Sequence, residues 1–359
     1  LGLARSGREV PAGYYDNVVS YVNKKIDRQG RLHSSKSTDN SRLILALTAM
    51  GKDVTNVGGH NLLQGLTDMK FVKKQGINGP IWALIALDSH DYEIPAATSG
   101  ADPVTRQKLI DAILAGQLPD GGWTISGQIA DADMTGMAIQ ALAPYYKTQE
   151  KVRTGVDRAL QVLSKLQQND GGFYTLDPSG NPYSNSESCA QVVVALTALG
   201  LDPHTDSRFI KNGHSVLDAL CSYVVEGGGF RHLTSGERNG MATEQGYYAL
   251  TAYFRLKDGK TSLYDMSDVT IQKGNQEDPT KPTDPAKPTD PSKPTDPAAP
   301  TDPAAPTDPK KPSNSGKKPS NPATGDDSPI ALYTVTLILG LLAAAALLAP
   351  QVKKKRTQK

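Results

Sequence analysis

The clearest indication of the fold is the segment Gln117-Leu118-Pro119-Asp120-Gly121-Gly122-Trp123, because a similar segment follows 50 positions later as Gln167-Gln168-Asn169-Asp170-Gly171-Gly172-Phe173. A degenerate third copy, Glu226-Gly227-Gly228-Gly229-Phe230, follows. Asp-Gly-Gly ends a helix and turns the chain through backbone conformations that residues with a Cβ resist. The aromatic residue after each turn is expected to pack between neighbouring units. The pattern therefore predicts a repeated architecture in which these residues are structural rather than chemical.

Apolar segments of helical length surround these turns and repeat along the chain. Each contains an Ala-Leu pair, and successive pairs are separated by 40, 55, 54 and 54 residues. The pairs are Ala46-Leu47, Ala86-Leu87, Ala141-Leu142, Ala195-Leu196 and Ala249-Leu250. Spacings of this length are typical of helical repeats, and they predict five related units.

Two kinds of helix alternate within a unit. Residues 151–167 place their apolar side chains on one stripe, so this helix is expected to face water on its other side. Residues 81–87 and 190–199 are apolar nearly all round, so those helices must be covered on most sides. An outer ring of one-sided helices around an inner ring of buried helices satisfies both patterns. We therefore predict an all-α fold over residues 1–270, an alpha/alpha barrel containing five helix pairs.

The Q-x-x-D-G-G-W/F repeats resemble those of the prenyltransferase and squalene-cyclase superfamily, and the resemblance covers roughly residues 10–260. It implies an alpha/alpha toroid. A closed ring of six pairs would need one pair more than the five counted, and we expect that pair to precede Leu1. Residues 132–138 and 244–250 are similar to a secreted branch that includes cobalamin carriers and toroid modules of bacterial surface proteins.

The carboxyl-terminal part of the chain has a different composition. Between Pro279 and Pro312 a proline occupies every third position, twelve in all, which predicts an unpacked polyproline II stalk over residues 275–320. Residues 330–352 are mostly apolar and long enough to span a bilayer, and the basic residues 353–359 follow them. Because positive charge stays cytoplasmic, the bulk of the chain is expected outside the cell.

A pentapeptide precedes this apolar segment: Asn321-Pro322-Ala323-Thr324-Gly325. A pentapeptide of this kind, followed by an apolar segment and a basic tail, resembles the sorting signal of Gram-positive surface proteins. The first residue of that signal is usually Leu, whereas this chain has Asn321. The resemblance implies cleavage after Thr324 by a sortase and attachment to peptidoglycan. A permanent single-span membrane anchor is the alternative. Both interpretations predict a protein displayed at the cell surface.

Composition excludes several other functions. The 39 basic and 37 acidic residues leave a net charge of +2, so no large field attracts nucleic acid. The two cysteines cannot build a disulfide-dense scaffold. We expect Cys189 and Cys221 to be free, with a single bridge between them as the alternative. The histidines form no metalloprotease pattern, and no nucleophile-elbow or phosphate-loop sequence occurs.

Catalysis of the superfamily type can be tested on the residues themselves. The segment Asp131-Ala132-Asp133-Met134-Thr135-Gly136 resembles the acid motif of class II terpene cyclases, with Asp133 at the position of the proton donor. Met134 replaces the next aspartate, so the motif is incomplete. We therefore expect Asp133 to cap a helix, while Asp131 and Asp133 stay the candidate catalytic residues if the chain is an enzyme.

The residues that could bind zinc are also an incomplete set. Glu187-Ser188-Cys189 resembles the Asp-x-Cys zinc ligands of protein prenyltransferases, but Met241, Ala242 and Thr243 stand where the family histidine is expected. We predict neither a metal nor a cofactor.

Binding is the favoured function. The mouth of the toroid is expected to carry Asp39, Asp133, Glu187 and Glu244, which form a mixed apolar and acidic rim for a small ligand, a glycan or a corrinoid. The alternative is a toroid enzyme of the terpene-cyclase, prenyltransferase or polysaccharide-processing type.

Overall fold

The computed structural model describes residues 1–176 and 182–273. The predicted stalk, sorting pentapeptide, apolar segment and basic tail all lie outside these residues. Among the described residues, no helix combines the length and the hydropathy needed to cross a bilayer.

The described part is helix-rich, which confirms the predicted class. Its α-helices are α1 Gly2–Arg5, α2 Tyr14–Lys25, α3 Ser37–Ala49, α4 Met69–Val72, α5 Asn78–Asp88, α6 Arg106–Ala115, α7 Ala132–Leu142, α8 Glu150–Leu166, α9 Ser186–Ala198, α10 Val216–Cys221 and α11 Gly240–Lys257. Short 3-10 helices cover Leu62–Leu66, Lys73–Gln75, Ala143–Tyr145 and Ser207–Phe209.

Two small antiparallel hairpins depart from the purely helical prediction. Strand β1, Tyr174–Leu176, pairs with β2, Pro182–Ser184, and Tyr174 lies opposite Ser184. Strand β3, Ile210–Lys211, pairs with β4, His214–Ser215. Both hairpins lie in connections between helices, where periodicity over a helical window carries no signal for strands this short.

The alternation of helix types follows the apolar pattern. Every residue of α9 from Ser186 to Thr197 is buried, whereas α8 buries one face only. Helices α3, α5, α7, α9 and α11, here called the buried helices, pack side by side in chain order, and α1 lies against α11. Helices α6, α8 and α10 pack on the outside of α5, α7 and α9 respectively.

The second unit is smaller than the others. Its outer element is only the single turn α4 followed by a 3-10 turn, instead of a full amphipathic helix. The 40-residue interval between the first two Ala-Leu pairs leaves about one outer helix less than the later intervals do. The expectation of five full helix pairs is therefore wrong in this unit.

The heptapeptide turns join one unit to the next. Gln117 donates from Nε2 to the carbonyl oxygens of Gly121, at 2.7 Å, and Gly155 in α8, at 2.8 Å. Asp120 accepts the amide N–H of Gly122, and fully buried Trp123 donates its indole N–H to the Ile113 carbonyl. The second copy repeats this pattern through its glutamine, aspartate and buried aromatic residue, Gln167, Asp170 and Phe173.

Residues 259–273, here called the closing segment, run across the carboxyl ends of the buried helices. Arg5 and Arg255, both more than nine-tenths buried, hold this segment through its carbonyl oxygens and through Asp268. Arg5 Nη1 lies 2.7 Å and Arg255 Nη2 2.6 Å from the Asp268 carboxylate. These two cations hold the pKa of Asp268 down at about 2, against the effect of its own burial. Further along, the N–H of Gln272 donates to the Gly51 carbonyl at 2.8 Å.

Candidate functional site

A cavity of about 640 Å³ lies between the amino-terminal halves of the buried helices. All five contribute to its wall, together with α2 and the closing segment. Its aromatic residues are Tyr14, Tyr21, Trp82, Tyr248 and Tyr264, and its polar residues are Thr38, Asp39, Arg42, Asn78, Gln191, Glu244 and Gln245. We call it the amino-end cavity. A pocket of this size with a mixed lining is typical of small-ligand sites.

The mouth of this cavity carries charge. Arg42 on α3 and Glu244 on α11 approach to 3.4 Å, and both side chains are more than half exposed. An ion pair this open to water contributes little stability, so both groups can exchange partners at low cost. Asp39 lies on the same wall. Of the four predicted rim residues, Asp39 and Glu244 therefore share this cavity.

A chain of glutamines reaches the wall of this cavity from α7. Gln140 on α7 donates from Nε2 to the backbone oxygen and to Oε1 of Gln191 on α9, both at 2.9 Å. Gln191 in turn donates from Nε2 to Gln245 Oε1, at 2.8 Å, and to Tyr248 Oη, at 2.6 Å, on α11. Three buried helices are thereby joined by side-chain hydrogen bonds at the inner end of the cavity. We call these residues the glutamine relay.

Tyr264 of the closing segment separates this cavity from a second one. The second cavity, of about 600 Å³, lies between the carboxyl-terminal ends of α5, α7, α9 and α11, and Tyr264 lines both. The Tyr264 ring meets that of Trp82 edge to face, with centroids 6.0 Å apart. Its hydroxyl is buried and has no partner among the described residues. The closing segment thus supplies the base of the amino-end cavity.

The other two predicted rim residues form a separate cluster. Asp133 and Glu187 lie one helical turn before Met137 and Gln191, which line the cavity. Glu187, buried at the start of α9, accepts a 2.7 Å hydrogen bond from His232 Nδ1. The remaining oxygen, Glu187 Oε1, is buried without a partner among the described residues, as is Asp133 Oδ1. We call Asp133, Glu187 and His232 the acid cluster.

The pKa of Asp133 in the acid cluster is raised above its ordinary value. Burial is the main cause that raises the pKa of Asp133 to about 7, and the negative charges of Asp131 and Glu187 raise it further. The nearby Ser188 side chain and the charge of His232 act in the opposite direction. Burial therefore favours the protonated form of Asp133 much more than water does.

The expectation that Asp133 caps α7 is wrong. The N-cap is Asp131, whose Oδ1 accepts the amide N–H of Met134 at 2.7 Å. Asp133 lies inside the first turn, where its side chain is not needed for that bond. The cap must precede the first helical residue with an extended backbone, and Asp131 has that conformation, with φ −113° and ψ 156°.

Several residues of both sites were missed in the sequence. His232 sits in a loop and gave no local pattern, and Arg42 and Trp82 belong to helices that were examined only for their apolar content. The relay did leave a signal. Gln140, Gln191 and Gln245 are polar interruptions of apolar helices at spacings of 51 and 54 residues, close to the repeat of the Ala-Leu pairs.

Cys189 and Cys221 are both free thiols. Cys189 is fully buried, and burial raises the pKa of its thiol to about 12, so the side chain stays protonated and behaves as a small apolar group. Cys221 is exposed. Among residues 1–176 and 182–273, no three His, Cys, Asp or Glu side chains are arranged to hold a metal ion.

Comparison with known proteins adds no identification. No protein-family model matches the chain, and a search of curated proteins finds no match.

Proposed function

We propose that this chain is a cell-surface binding protein whose helical domain, an alpha/alpha toroid, binds a saccharide in the amino-end cavity. One observation carries the proposal: five buried helices converge on a single cavity of about 640 Å³ that combines aromatic rings with polar side chains. Aromatic rings stack on the apolar faces of sugars, while carboxylates, amides and an arginine can bond their hydroxyls.

The toroid is the arrangement that best accounts for the packing. The buried helices follow one another as neighbours, each outer helix lies on one of them, and α1 lies beside α11 at the end of the series. The superfamily resemblance of the Asp-Gly-Gly turns supports the same arrangement. A corrinoid is the alternative ligand that the resemblance to the cobalamin carriers implies.

Surface display follows from the carboxyl-terminal sequence. The pentapeptide 321–325, the apolar segment and the basic tail in that order support covalent attachment to peptidoglycan by a sortase. Thr324→Ala should make the protein extractable by hot detergent, whereas the native chain should need muralytic enzymes for release. Equal resistance of both to detergent would contradict sortase attachment and favour a membrane anchor.

Saccharide binding is tested with a glycan array, followed by calorimetry of the full chain. Tyr21→Ala removes a ring that is 44% exposed at the cavity and should weaken binding at least fivefold. Tyr146→Ala is the matched control, because that ring lines the second cavity. Absence of any bound glycan, or equal losses in both variants, would count against the proposal.

Acid–base catalysis is the second candidate function, and the acid cluster is the observation that favours it. A carboxylic acid with a pKa near 7 beside a histidine-bound carboxylate is a pattern found in enzymes that protonate a substrate. Incubation with polysaccharides, squalene and prenyl diphosphates tests it. Product that disappears in Asp133→Asn, with the fold intact, would make the protein an enzyme; no product from any of them would leave binding as the function.

A further inference from the structure

The glutamine relay has a fixed hydrogen-bond direction. A backbone carbonyl can only accept, so the Gln140 nitrogen that bonds the Gln191 backbone oxygen must be the NH2 group. The same NH2 group faces Gln191 Oε1, which is therefore the acceptor. The other end of the Gln191 amide must then be its NH2 group, and both of its hydrogens are directed at α11. The Gln191 backbone oxygen therefore fixes the orientation of both the Gln140 and the Gln191 side-chain amides.

This hydrogen-bond direction leaves two donors free on α11, at the wall of the amino-end cavity. Gln245 accepts through Oε1, so its own NH2 group is left as a donor, and it has no acceptor among the described residues. Tyr248 accepts through Oη, so its hydroxyl hydrogen is likewise left to donate. Burial keeps the pKa of Tyr248 well above its ordinary value, so this hydroxyl remains protonated. The relay therefore presents N–H and O–H donors at the inner end of the cavity.

The donors on Gln245 and Tyr248 are uncharged, so they are better suited to an uncharged acceptor than to an anion. Among the described residues that line the cavity, the arginine is Arg42, which lies at the exposed mouth beside Glu244 and away from Gln245 Nε2 and Tyr248 Oη. A ligand carboxylate placed against Gln245 and Tyr248 would lose its hydration without gaining a cation, while Asp39 and Glu244 would repel it on entry. A carbonyl oxygen needs no counter-charge, and two donors satisfy its two lone pairs.

We propose that the inner end of the amino-end cavity recognises the acyl carbonyl of an N-acylated amino sugar. This rests on the saccharide-binding function proposed above and names the sugar substituent that the site selects. The rest of the acyl group also has partners. Asn78 Oδ1, a buried acceptor without a donor among the described residues, lies in the same wall and can accept the amide N–H. Leu45 and Met137 offer apolar contacts for the acyl methyl group.

The test uses three trisaccharides with the same β-1,4 linkage, composed of N-acetylglucosamine, glucosamine or glucose, titrated calorimetrically into the full chain. They differ only in the substituent at carbon 2. We expect the N-acetylated trimer to bind at least tenfold more tightly than the other two. Equal affinity for all three would overturn this inference while leaving saccharide binding intact. Preference for the glucosamine trimer would also overturn it, because the acidic mouth would then be selecting the ammonium group.

Two variants locate the effect. Gln245→Glu replaces the NH2 donor by a carboxylate oxygen and should abolish the preference for the N-acetylated trimer. Tyr248→Phe removes the other donor without adding charge and should weaken binding of that trimer three- to tenfold, with little effect on the glucose trimer. Gln107→Glu, a similar exchange on α6 away from the cavity, is the control. A preference that survives both cavity variants, or failure of all three trimers to bind, would refute the inference.

Discussion

The two ends of the buried helices differ in how their buried charged and polar groups are hydrogen-bonded. At the carboxyl ends, the closing segment is held by two buried arginines whose donors meet carbonyl oxygens and the Asp268 carboxylate. At the amino ends, buried polar atoms of Asn78, Asp133 and Glu187 have no partner among the described residues. Buried polar groups in proteins are usually paired, so unpaired ones need a specific explanation. The contrast is one of charge: the buried arginines at the carboxyl ends are fully bonded, whereas carboxylate oxygens at the amino ends are not.

The largest expected effect on stability comes from removing one of the two buried arginines at the carboxyl ends of the buried helices. Arg255→Ala removes a buried cation that bonds Thr261, Asp268 and the Arg5 carbonyl, and leaves Arg5 with an altered network. We expect a loss of about 3–5 kcal/mol in the free energy of unfolding, because the Thr261 and Arg5 carbonyl oxygens lose their charged donor together with the partly exposed Asp268 carboxylate. Denaturant titration measures it.

The control for this variant is Lys260→Ala, which breaks an exposed pair with Asp258. That change should cost less than about 1 kcal/mol, since water screens the charges. A similarly small loss in Arg255→Ala would mean that the closing segment is not the stabilising element.

The pH dependence of stability should differ in sign between the two ends. At Asp268 the folded-state pKa is depressed to about 2, so its stabilisation is present above the unfolded pKa near 4 and is lost as the pH falls through 2. At Asp133 the folded-state pKa is raised to about 7, so the free energy of unfolding falls as the pH rises from 4 to 7. Between the ordinary pKa of 3.8 and a folded-state pKa of about 7, we expect a fall on the order of 4 kcal/mol.

Asp133→Asn tests this sign directly. The variant should be more stable than the native chain at pH 8 and should lose most of the downward slope between pH 4 and 7, as followed by denaturant titration at several pH values; burial also raises the pKa of Asp88 and of Asp131, so a smaller slope remains. Asp268→Asn should keep that slope and instead lose the acid transition. A slope unchanged in Asp133→Asn would show that Asp133 is ionised without penalty in the folded protein.

The helix-rich fold was predictable because its signals are local. Asp-Gly-Gly turns, one-sided stripes and all-apolar segments each report the environment of a few neighbouring residues, and the structure has helices where those patterns lie. The shortened second unit was visible in the 40-residue interval, although it was counted as a full helix pair. The two hairpins escaped prediction because strands of two or three residues have no measurable period.

The sites were less predictable because they depend on pairs far apart in the chain. The residues Asp39, Asp133, Glu187 and Glu244 were found as acids near helix starts, but only the fold divides them between a cavity and a cluster. His232 contacts Glu187 across 45 positions, and Arg5 contacts Asp268 across 263. Such partners are set by the packing of whole units, on which local patterns carry no information.

A smaller effect is expected where α7 and α9 approach each other. A Cβ on Gly136 would lie 3.0 Å from the Gln191 backbone oxygen, the same atom that fixes the direction of the relay. Gly136→Ala should therefore cost about 1–3 kcal/mol by forcing the helices apart. Gly240→Ala is the matched control, because a Cβ there meets nothing within 4 Å and should be neutral or slightly stabilising. Equal stability of the two variants, measured by thermal unfolding, would argue against close packing at the relay.

The smallest effect concerns the cap of α7 and separates the two aspartates at the amino end. Asp131 provides the capping oxygen, so Asp131→Ala should lower the free energy of unfolding by about 1 kcal/mol, while Asp131→Asn should cost only a few tenths because asparagine caps as well. Asp133 provides no cap, so Asp133→Asn should show no such loss. Denaturant titration at pH 6 compares the three variants. If Asp131→Ala were neutral while Asp133→Asn destabilised the protein, Asp133 would be an integral part of the helix start, and its unpaired oxygen would no longer point to a ligand.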